Sequence, residues 1–273
     1  MKIIVANWKM NGSISLVNQF VKELNEVKCD NRIIICPPAA LIAPMCAARA
    51  FVNTSSTSQA QPAYVSEDGD SINACAASTG AQDCFYEESG AFTGEHSPKL
   101  LKELGCDYVL LGHSERRALF HESDEIIYKK WNAAIKQSLC PIVCVGEKLE
   151  ERDNWQDVIS KQLKNYINQR DVGFDNNETH DSNKYNIGNT IFAYEPIWSI
   201  GTGLVPSIEE IESVLNFIRT SVTALAAHAT VLYGGSVTSR NAAAILSSNS
   251  VDGVLVGGAS LKIEEFKAIV TAV

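Results

Sequence analysis

The sequence has no long hydrophobic run and no excess of basic residues. No uninterrupted apolar stretch approaches the roughly 18 residues that cross a membrane, so a membrane span is not expected. Lys and Arg total 23 against 32 Asp and Glu, and the formal net charge of -9 repels nucleic acid and anionic lipid. A small anionic substrate remains compatible with this composition, because backbone N–H groups and a single lysine can hold one phosphate in an acidic protein.

Paired CxxC motifs and an export signal are also absent. The first seven residues have the pattern of a short strand, without a basic segment, a long apolar stretch or a cleavage site. The eight cysteines fall mostly within apolar segments, which predicts reduced, buried thiols and a cytoplasmic location. Cys140 and Cys144 share one strand-like segment, and we interpret them as packing residues and not as metal ligands.

Short runs of branched apolar residues recur along the chain, with amphipathic segments between them. Such runs are typical of strands buried on both faces, and the intervening segments repeat apolar residues at helical spacing. The clearest helical stripe runs from Ile208 to Leu225, and Pro206 and Ser207 supply its start signal. The predicted strands are residues 3–6, 33–36, 108–111, 142–145, 191–194, 231–233 and 254–256, with a weaker one at 79–84 that is admitted on spacing.

Alternation of strand and helix from end to end predicts an α/β fold with a parallel sheet. Right-handed crossovers leave one closed barrel or one doubly wound sheet as the choices. About eight strands and a length near the typical 250 residues favour a single-domain (β/α)8 TIM barrel with eight parallel strands. We expect one domain over residues 1–273, in which the polar stretches near 51–77 and 170–189 are surface insertions.

Polar residues follow several predicted strands at their carboxyl ends, where the active site of a parallel barrel forms. Asn7 and Lys9 follow the first strand, His113 and Glu115 the fourth, and Glu195 the sixth. Each residue alone is more often solvated or structural. Their joint placement at strand exits indicates a catalytic site, because polar residues scattered at random would favour both strand ends equally.

Glycines follow the last two predicted strands. Gly234 and Gly235 precede Ser236, and Gly257 and Gly258 follow the eighth strand. Glycine permits backbone N–H groups to approach an anion closely. The pattern predicts a phosphate site at the same end of the barrel.

Seven segments, spread in order over almost the whole chain, carry a resemblance to one family. They are residues 7–12 (NWKMNG), 90–95 (GAFTGE), 112–117 (GHSERR), 144–147 (CVGE), 194–203 (YEPIWSIGTG), 233–236 (YGGS) and 257–260 (GGAS). These segments are similar to the signature segments of triosephosphate isomerases. The chain departs from that pattern at its two polar insertions and at His96, where the family usually has an aliphatic residue.

The resemblance implies an isomerase of glycolysis and gluconeogenesis, which interconverts dihydroxyacetone phosphate and D-glyceraldehyde 3-phosphate through an enediol(ate) without a cofactor or a metal. It implies that Glu195 is the base and that His113 polarises the carbonyl. It also implies that Lys9 and Asn7 stabilise the phosphate and the enediolate, and that Glu115 orients Lys9. The implied phosphate-binding residues are Asn7, Lys9, Gly201, Ser236, Gly257 and Gly258.

Two loops have further roles that the resemblance implies. Residues 196–203 resemble a closing lid, and their Gly-Thr-Gly lacks the third glycine of a dinucleotide fingerprint, so no nicotinamide cofactor is expected. Residues 90–95 would insert into the partner subunit of a homodimer, with Thr93 beside the partner's catalytic groups. Phe92, a large apolar side chain at the loop tip, supports this interpretation. We expect His96 to make such an interface sensitive to acid.

Two other functions remain open at this point. One is another phosphate-binding TIM-barrel sugar isomerase or epimerase, because glycine-rich strand exits recur among such enzymes. It does not explain Lys9, His113 and Glu195 together. The other is a non-catalytic phosphate-binding barrel, which predicts loss of either the base or the electrophile.

Overall fold

The protein is a closed barrel of eight parallel strands in the order β1-β2-β3-β4-β5-β6-β7-β8, which confirms the predicted fold class. The structure, a computed structural model, describes residues 1–55, 77–167, 187–223 and 229–273. Parallel pairing of β1 with β8 closes the barrel. The strands are β1 (Ile3–Asn7), β2 (Arg32–Cys36), β3 (Ser78–Ala81), β4 (Tyr108–Leu111), β5 (Cys140–Val145), β6 (Ile191–Tyr194), β7 (Thr230–Tyr233) and β8 (Gly253–Val256).

Helices connect the strands on the outside of the barrel. Ser207 begins one of them in a capping box: its side chain accepts from the backbone N–H of Glu210, whose side chain accepts from the Ser207 N–H in return. This confirms the start signal found in the sequence. The α-helices of the described ranges are α1 (Ile14–Leu24), α2 (Ile42–Ser55), α3 (Pro98–Glu103), α4 (Ser114–Leu119), α5 (Asp124–Lys136), α6 (Trp155–Ile167), α7 (Ile208–Ser221), α8 (Ala242–Leu246) and α9 (Ile263–Val270).

The core has two layers because side chains alternate along each strand. In β1, Ile3 and Val5 pack with residues that fill the barrel interior. Ile4 and Ala6 belong to the larger cluster between the strands and the helices. Both faces of the strand are therefore buried, which explains the nearly continuous apolar runs in the sequence.

Strand β3 differs from its prediction. The sequence placed it at 79–84, whereas it begins at Ser78 and ends at Ala81. Beyond Ala81 the chain leaves the sheet, and the Gln82 side chain donates to the backbone carbonyls of Lys9 and Cys36. The end of the strand therefore coincides with a tertiary contact that the local pattern does not contain.

Most of the two polar stretches lies outside the described residues. Residues 51–55 complete α2, and Ile187–Asn189 form a short 3-10 turn before β6. The single domain with surface insertions stays a prediction. Among the described helices, none combines the length and the apolar character needed to cross a bilayer.

One expectation about the cysteines is wrong. Of the seven cysteines that the structure describes, six are free thiols and Cys29 is disulfide-bonded, whereas Cys75 lies outside the described residues. Cys29 lies half-buried in the turn between α1 and β2, next to the exposed residues Lys28 and Asp30. Its neighbours in sequence are charged, although its side chain packs against the main core.

Candidate active site

One cavity of about 250 Å³ lies at the carboxyl ends of the strands. It brings together residues that are far apart in sequence, as expected for a parallel barrel. Most of the predicted site residues line it: Asn7, Lys9, His113, Glu195, Gly201, Ser236, Gly257 and Gly258. Glu115 adjoins the site through Lys9, whereas Thr93 is not part of the lining.

Glu195 follows β6 and is only 2% exposed. One carboxylate oxygen, Oε1, lies 3.1 Å from His113 Nε2, and the other, Oε2, accepts from the backbone N–H of Ser114 at 3.0 Å. A β-carbon added at Gly234 would lie 3.0 Å from Glu195 Cγ. The glycine after β7 therefore leaves room for the carboxylate side chain.

His113 is the N-cap of α4, and its hydrogen bonds define its tautomer. The backbone N–H of Glu115 donates to Nδ1 at 3.2 Å, so Nδ1 carries a lone pair. The ring proton consequently resides on Nε2, which donates to Glu195 Oε1. His113 thus presents a neutral imidazole N–H to the cavity, and this proton can be donated to a substrate oxygen.

Lys9 occupies the left-handed backbone region, with φ 51°. Its ammonium lies 2.6 Å from Glu115 Oε1, and its own N–H donates to Asn7 Oδ1 at 3.0 Å. Gln82 Nε2 donates to the Lys9 carbonyl at 2.8 Å and to the Cys36 carbonyl at 2.9 Å. Three residues from three strand exits, Asn7, Gln82 and Glu115, therefore fix this cation at the cavity wall.

Gln82 is a site residue that the sequence analysis missed. It is the polar residue at the exit of β3, which is the same signal that identified Lys9 and Glu195. The signal was hidden because the predicted strand extended past it, to residue 84.

The glycine-lined side of the cavity adjoins Lys9. A β-carbon at Gly257 would be in ordinary contact with Lys9 Cε at 3.6 Å, and one at Gly258 would meet no atom within 4 Å. The space beside both glycines is therefore open to a ligand. The Ser236 hydroxyl donates to the Ser199 carbonyl at 2.6 Å, so this predicted phosphate ligand also contacts the lid segment.

A buried carboxylate, Glu147, connects the predicted lid segment, residues 196–203, to the barrel. Trp198 Nε1 and the Tyr194 hydroxyl both donate to Glu147 Oε1, at 2.8 and 3.0 Å. Burial raises the pKa of Glu147 above its usual value. The Arg152 guanidinium stacks on the Trp198 ring with its carbon 4.3 Å from the ring centroid. The sequence placed Glu147 in a signature segment without showing this contact to the lid.

None of residues 90–95 lines the cavity of its own chain. The Phe92 ring packs on Phe85 with ring centroids 4.5 Å apart, yet Phe92 remains 42% exposed. Thr93 and His96 are exposed as well. Phe92 is therefore partly covered within its own chain, and the outer part of the loop faces outward.

The fold and the cavity together define a class: (β/α)8-barrel enzymes in which a carboxylate, an imidazole and a lysine face a glycine-lined cavity wall. A sequence model of the family described as triosephosphate isomerase matches residues 2–273. The chain belongs to the triosephosphate isomerase family.

Individual relatives cover nearly the whole chain. The protein named "Triosephosphate isomerase" of Alkaliphilus oremlandii is 39% identical over 279 residues, which covers 98% of each chain. That of Clostridium botulinum strain Loch Maree is 38% identical over 277 residues, again 98% of each chain. That of Dehalococcoides mccartyi strain BAV1 is 40% identical over 278 residues, or 98% of this chain and 94% of the relative.

Proposed function

We propose that this chain interconverts dihydroxyacetone phosphate and D-glyceraldehyde 3-phosphate through an enediolate, the isomerase reaction of glycolysis and gluconeogenesis. The observation that carries the proposal is the convergence of Glu195, His113 and Lys9 on one cavity with a glycine-lined wall. These groups supply a base, a hydrogen-bond donor and a fixed positive charge, which enolisation next to a carbonyl requires.

Glu195 is the base in this mechanism. It removes a proton from one substrate carbon and returns it to the neighbouring carbon. In the structure its oxygens are held by His113 Nε2 and by the Ser114 N–H. The carboxylate therefore leaves these donors when it moves to the substrate, and the space beside Gly234 accommodates this change.

His113 and Lys9 stabilise the charge that develops on the substrate. Once Glu195 moves away, the Nε2 proton of His113 is free to bond the carbonyl oxygen. Lys9 contributes its ammonium, and Asn7 fixes the Lys9 backbone. Because these donors are already oriented, little reorganisation accompanies the reaction.

The phosphate group is assigned to the glycine-lined wall of the cavity, beside Lys9. In this proposal its donors are the backbone N–H groups of Gly201, Gly257 and Gly258, together with the hydroxyl and N–H of Ser236 once these leave the Ser199 carbonyl and hydroxyl to which they now donate. Ser236 also contacts the Ser199 carbonyl in the lid, so phosphate binding and lid position share one residue. Closure of residues 196–203 would exclude water from the enediolate.

A homodimer is a further part of the proposal. Phe92 is 42% exposed and Met10 is 94% exposed, although both side chains are large and apolar. A two-fold interface would bury both copies of the 90–95 loop at once and bring Thr93 beside the partner's site. The cytoplasmic location expected from the sequence stays a prediction.

Neither alternative function is favoured. A non-catalytic phosphate-binding barrel has no use for a buried carboxylate that is hydrogen-bonded to an imidazole. Another sugar phosphate isomerase or epimerase would share the glycine-lined wall, but the family match covers the chain from residue 2 to residue 273.

A coupled assay of dihydroxyacetone phosphate formation from glyceraldehyde 3-phosphate tests the activity. We expect Glu195→Gln to lower turnover by at least about 100-fold, because the amide keeps the shape of the side chain but cannot accept the proton. Glu264→Gln, which changes an exposed carboxylate on α9, is the matched control and should leave turnover unchanged. If Glu195→Gln retains more than about a tenth of the wild-type turnover, Glu195 is not the base.

A further inference from the structure

Ser199 lies within the lid segment, and its side chain is fully buried. The residues that precede it, Ile197 and Trp198, are half-buried, whereas Gly201 and Thr202 after it are exposed. A hydroxyl without contact to water finds its hydrogen-bond partners inside the protein. The partners of Ser199 therefore show how the lid segment is attached to the barrel.

The single proton of the Ser199 hydroxyl is used by the lid itself. Ser199 Oγ donates to the carbonyl of Leu204, just after the lid segment, at 2.6 Å. This bond closes a turn in which Gly201 and Gly203 have φ angles of 71° and 80°, the left-handed region that favours glycine. With its proton committed to Leu204, the Ser199 oxygen acts as an acceptor toward all other groups.

Two groups from the exit of β7 approach this oxygen. The backbone N–H of Ser236 donates to Ser199 Oγ at 3.4 Å. The Tyr233 hydroxyl also lies 3.4 Å away, and it is the donor of that pair because the Ser199 proton is already used. A β-carbon at Gly235 would lie 2.1 Å from the Tyr233 oxygen and 3.0 Å from Ser199 Oγ. Glycine at this position therefore lets the exit of β7 lie directly against the lid.

Both hydrogen-bond donors of Ser236 are consequently bound to one lid residue. Its N–H donates to Ser199 Oγ, and its hydroxyl donates to the Ser199 carbonyl at 2.6 Å. In the proposed function, the same two donors bind the substrate phosphate. The single hydroxyl proton of Ser236 cannot point at both acceptors. The lid contact seen here and the phosphate contact therefore exclude each other.

We propose that Ser199 is a positioning residue that competes with the substrate phosphate for Ser236. This inference rests on the proposed function, because it takes Ser236 as a phosphate ligand. The Ser199 hydroxyl stabilises the free enzyme in a conformation whose phosphate donors are occupied, and phosphate binding releases the lid from Ser236. A contact that is made only in the free state lowers the affinity for the ligand. The same contact favours the return of the lid after the product leaves.

The affinity for a phosphate ligand tests this competition. Ser199→Ala removes the hydroxyl but keeps the backbone carbonyl that binds Ser236 Oγ. In calorimetric titration with phosphoglycolate, we expect Kd to fall by at least about 3-fold, because hydrogen bonds are lost from the free state alone. In steady-state kinetics KM should fall, and kcat should not rise. Ser247→Ala, which removes an exposed hydroxyl that donates to the Ala244 carbonyl, is the matched control and should leave Kd unchanged.

Hydrogen–deuterium exchange separates this role from a purely structural one. In the free protein, we expect Ser199→Ala to speed amide exchange in residues 197–205 and at Ser236 relative to wild type. At saturating phosphoglycolate the difference should disappear, because the bound state does not use the Ser199 hydroxyl to hold Ser236. A difference that persists in the bound state would show that Ser199 only stabilises the fold.

The outcomes distinguish this inference from the proposed function. An unchanged or raised Kd in a folded Ser199→Ala protein overturns the competition and leaves the isomerase assignment intact. A wild-type protein that binds phosphoglycolate but does not isomerise triose phosphates contradicts the proposed function, while the competition is still measured by binding. Failure of the wild-type protein to bind either phosphoglycolate or inorganic phosphate overturns both.

Discussion

At the scale of the residue, the site depends on conformations that are unfavourable by themselves. Lys9 has φ 51°, a region that costs a residue with a β-carbon roughly 1–2 kcal/mol. Asn7 Oδ1 accepts from the Lys9 N–H, and the Gln82 amide donates to the Lys9 carbonyl, so both peptide groups of Lys9 are held. The hydrogen bonds offset the strain and place the ammonium beside Glu115.

Removal of the Gln82 amide should therefore lower the activity indirectly, through the position of Lys9. Gln82→Ala loses two hydrogen bonds to backbone carbonyls, each with a net contribution of about 0.5–1.5 kcal/mol. We expect kcat/KM to fall by at least about 5-fold, as displaced donors lose transition-state stabilisation. Steady-state kinetics measure the effect.

Two variants control for this test. Gln82→Glu keeps the size of the side chain but cannot donate when ionised, so it should resemble Gln82→Ala. Gln137→Ala removes a surface hydrogen bond to Glu88 and should leave kcat/KM unchanged. Full activity of Gln82→Ala would show that Lys9 holds its position unaided.

The glycine-lined wall gives a second prediction at this scale. A single β-carbon at Gly257 would only touch Lys9 Cε at 3.6 Å, whereas the methyl groups of valine would extend into the cavity. We expect Gly257→Val to raise the inhibition constants of inorganic phosphate and phosphoglycolate, and Gly257→Ala to raise them less. Unchanged constants in a folded Gly257→Val protein would remove Gly257 from the phosphate site.

At the scale of the element, a buried charge cluster joins the exit of β3 to α4 and α5. Lys130 Nζ lies 2.7 Å from Asp83 Oδ2 and contacts Glu122, while Arg116 Nε lies 2.8 Å from Asp83 Oδ2 and 2.6 Å from Glu122 Oε1. Burial is the largest influence on Asp83, and it raises the pKa of this carboxyl to about 6 despite the two cations.

This raised pKa couples stability to pH. The pKa of Asp83 in the folded protein lies above its usual value of 3.8, so the folded state binds the proton more tightly. The resulting contribution to the free energy of unfolding is fully present below about pH 3.8 and is lost as the pH rises through about 6. Asparagine cannot titrate, and an Asp83→Asn variant therefore lacks this dependence.

When the pH rises from 4.5 to 7.5, we expect the free energy of unfolding of Asp83→Asn to increase relative to that of wild type, by about 1–3 kcal/mol. Urea unfolding at the two pH values measures the difference. Asp107→Asn, in which the replaced carboxylate is half exposed, is the control. A stability difference between Asp83→Asn and wild type that is the same at both pH values would contradict the assignment.

At the scale of the whole molecule, closure of the barrel brings distant segments to one face. β1 and β8 approach so closely that a β-carbon at Gly253 would lie 1.9 Å from the Ile3 carbonyl oxygen. Closure therefore requires glycine at this position. It also places the exits of β1 and β8 side by side, which brings Lys9 next to Gly257.

The proposed dimer is tested at the same scale. Sedimentation should give about twice the chain mass of 29.7 kDa. Thr93→Arg places a charge on the exposed loop next to Phe92, and we expect it to lower both the dimer fraction and the activity. Ser247→Arg, on an exposed position after α8, should change neither. A fully active wild-type monomer at low concentration would refute the dimer without affecting the assignment of Glu195.

Local patterns of the sequence determined the architecture and most of the site. The strand runs and helical stripes depend on residues a few positions apart, and they predicted the eight strands of the closed barrel. A parallel barrel also puts every strand exit on one face, so Lys9, His113 and Glu195 could be grouped from order alone. The weak strand was the exception, because a distant contact of Gln82 marks its end.

Contacts between distant residues decided the rest, and only the tertiary structure contains them. The Ser114 N–H that holds Glu195 is 81 positions away in sequence. Protonation and reactivity depend on hydrogen-bond partners a few ångströms away, and a sequence pattern specifies the residue but not the partner that the fold brings to it.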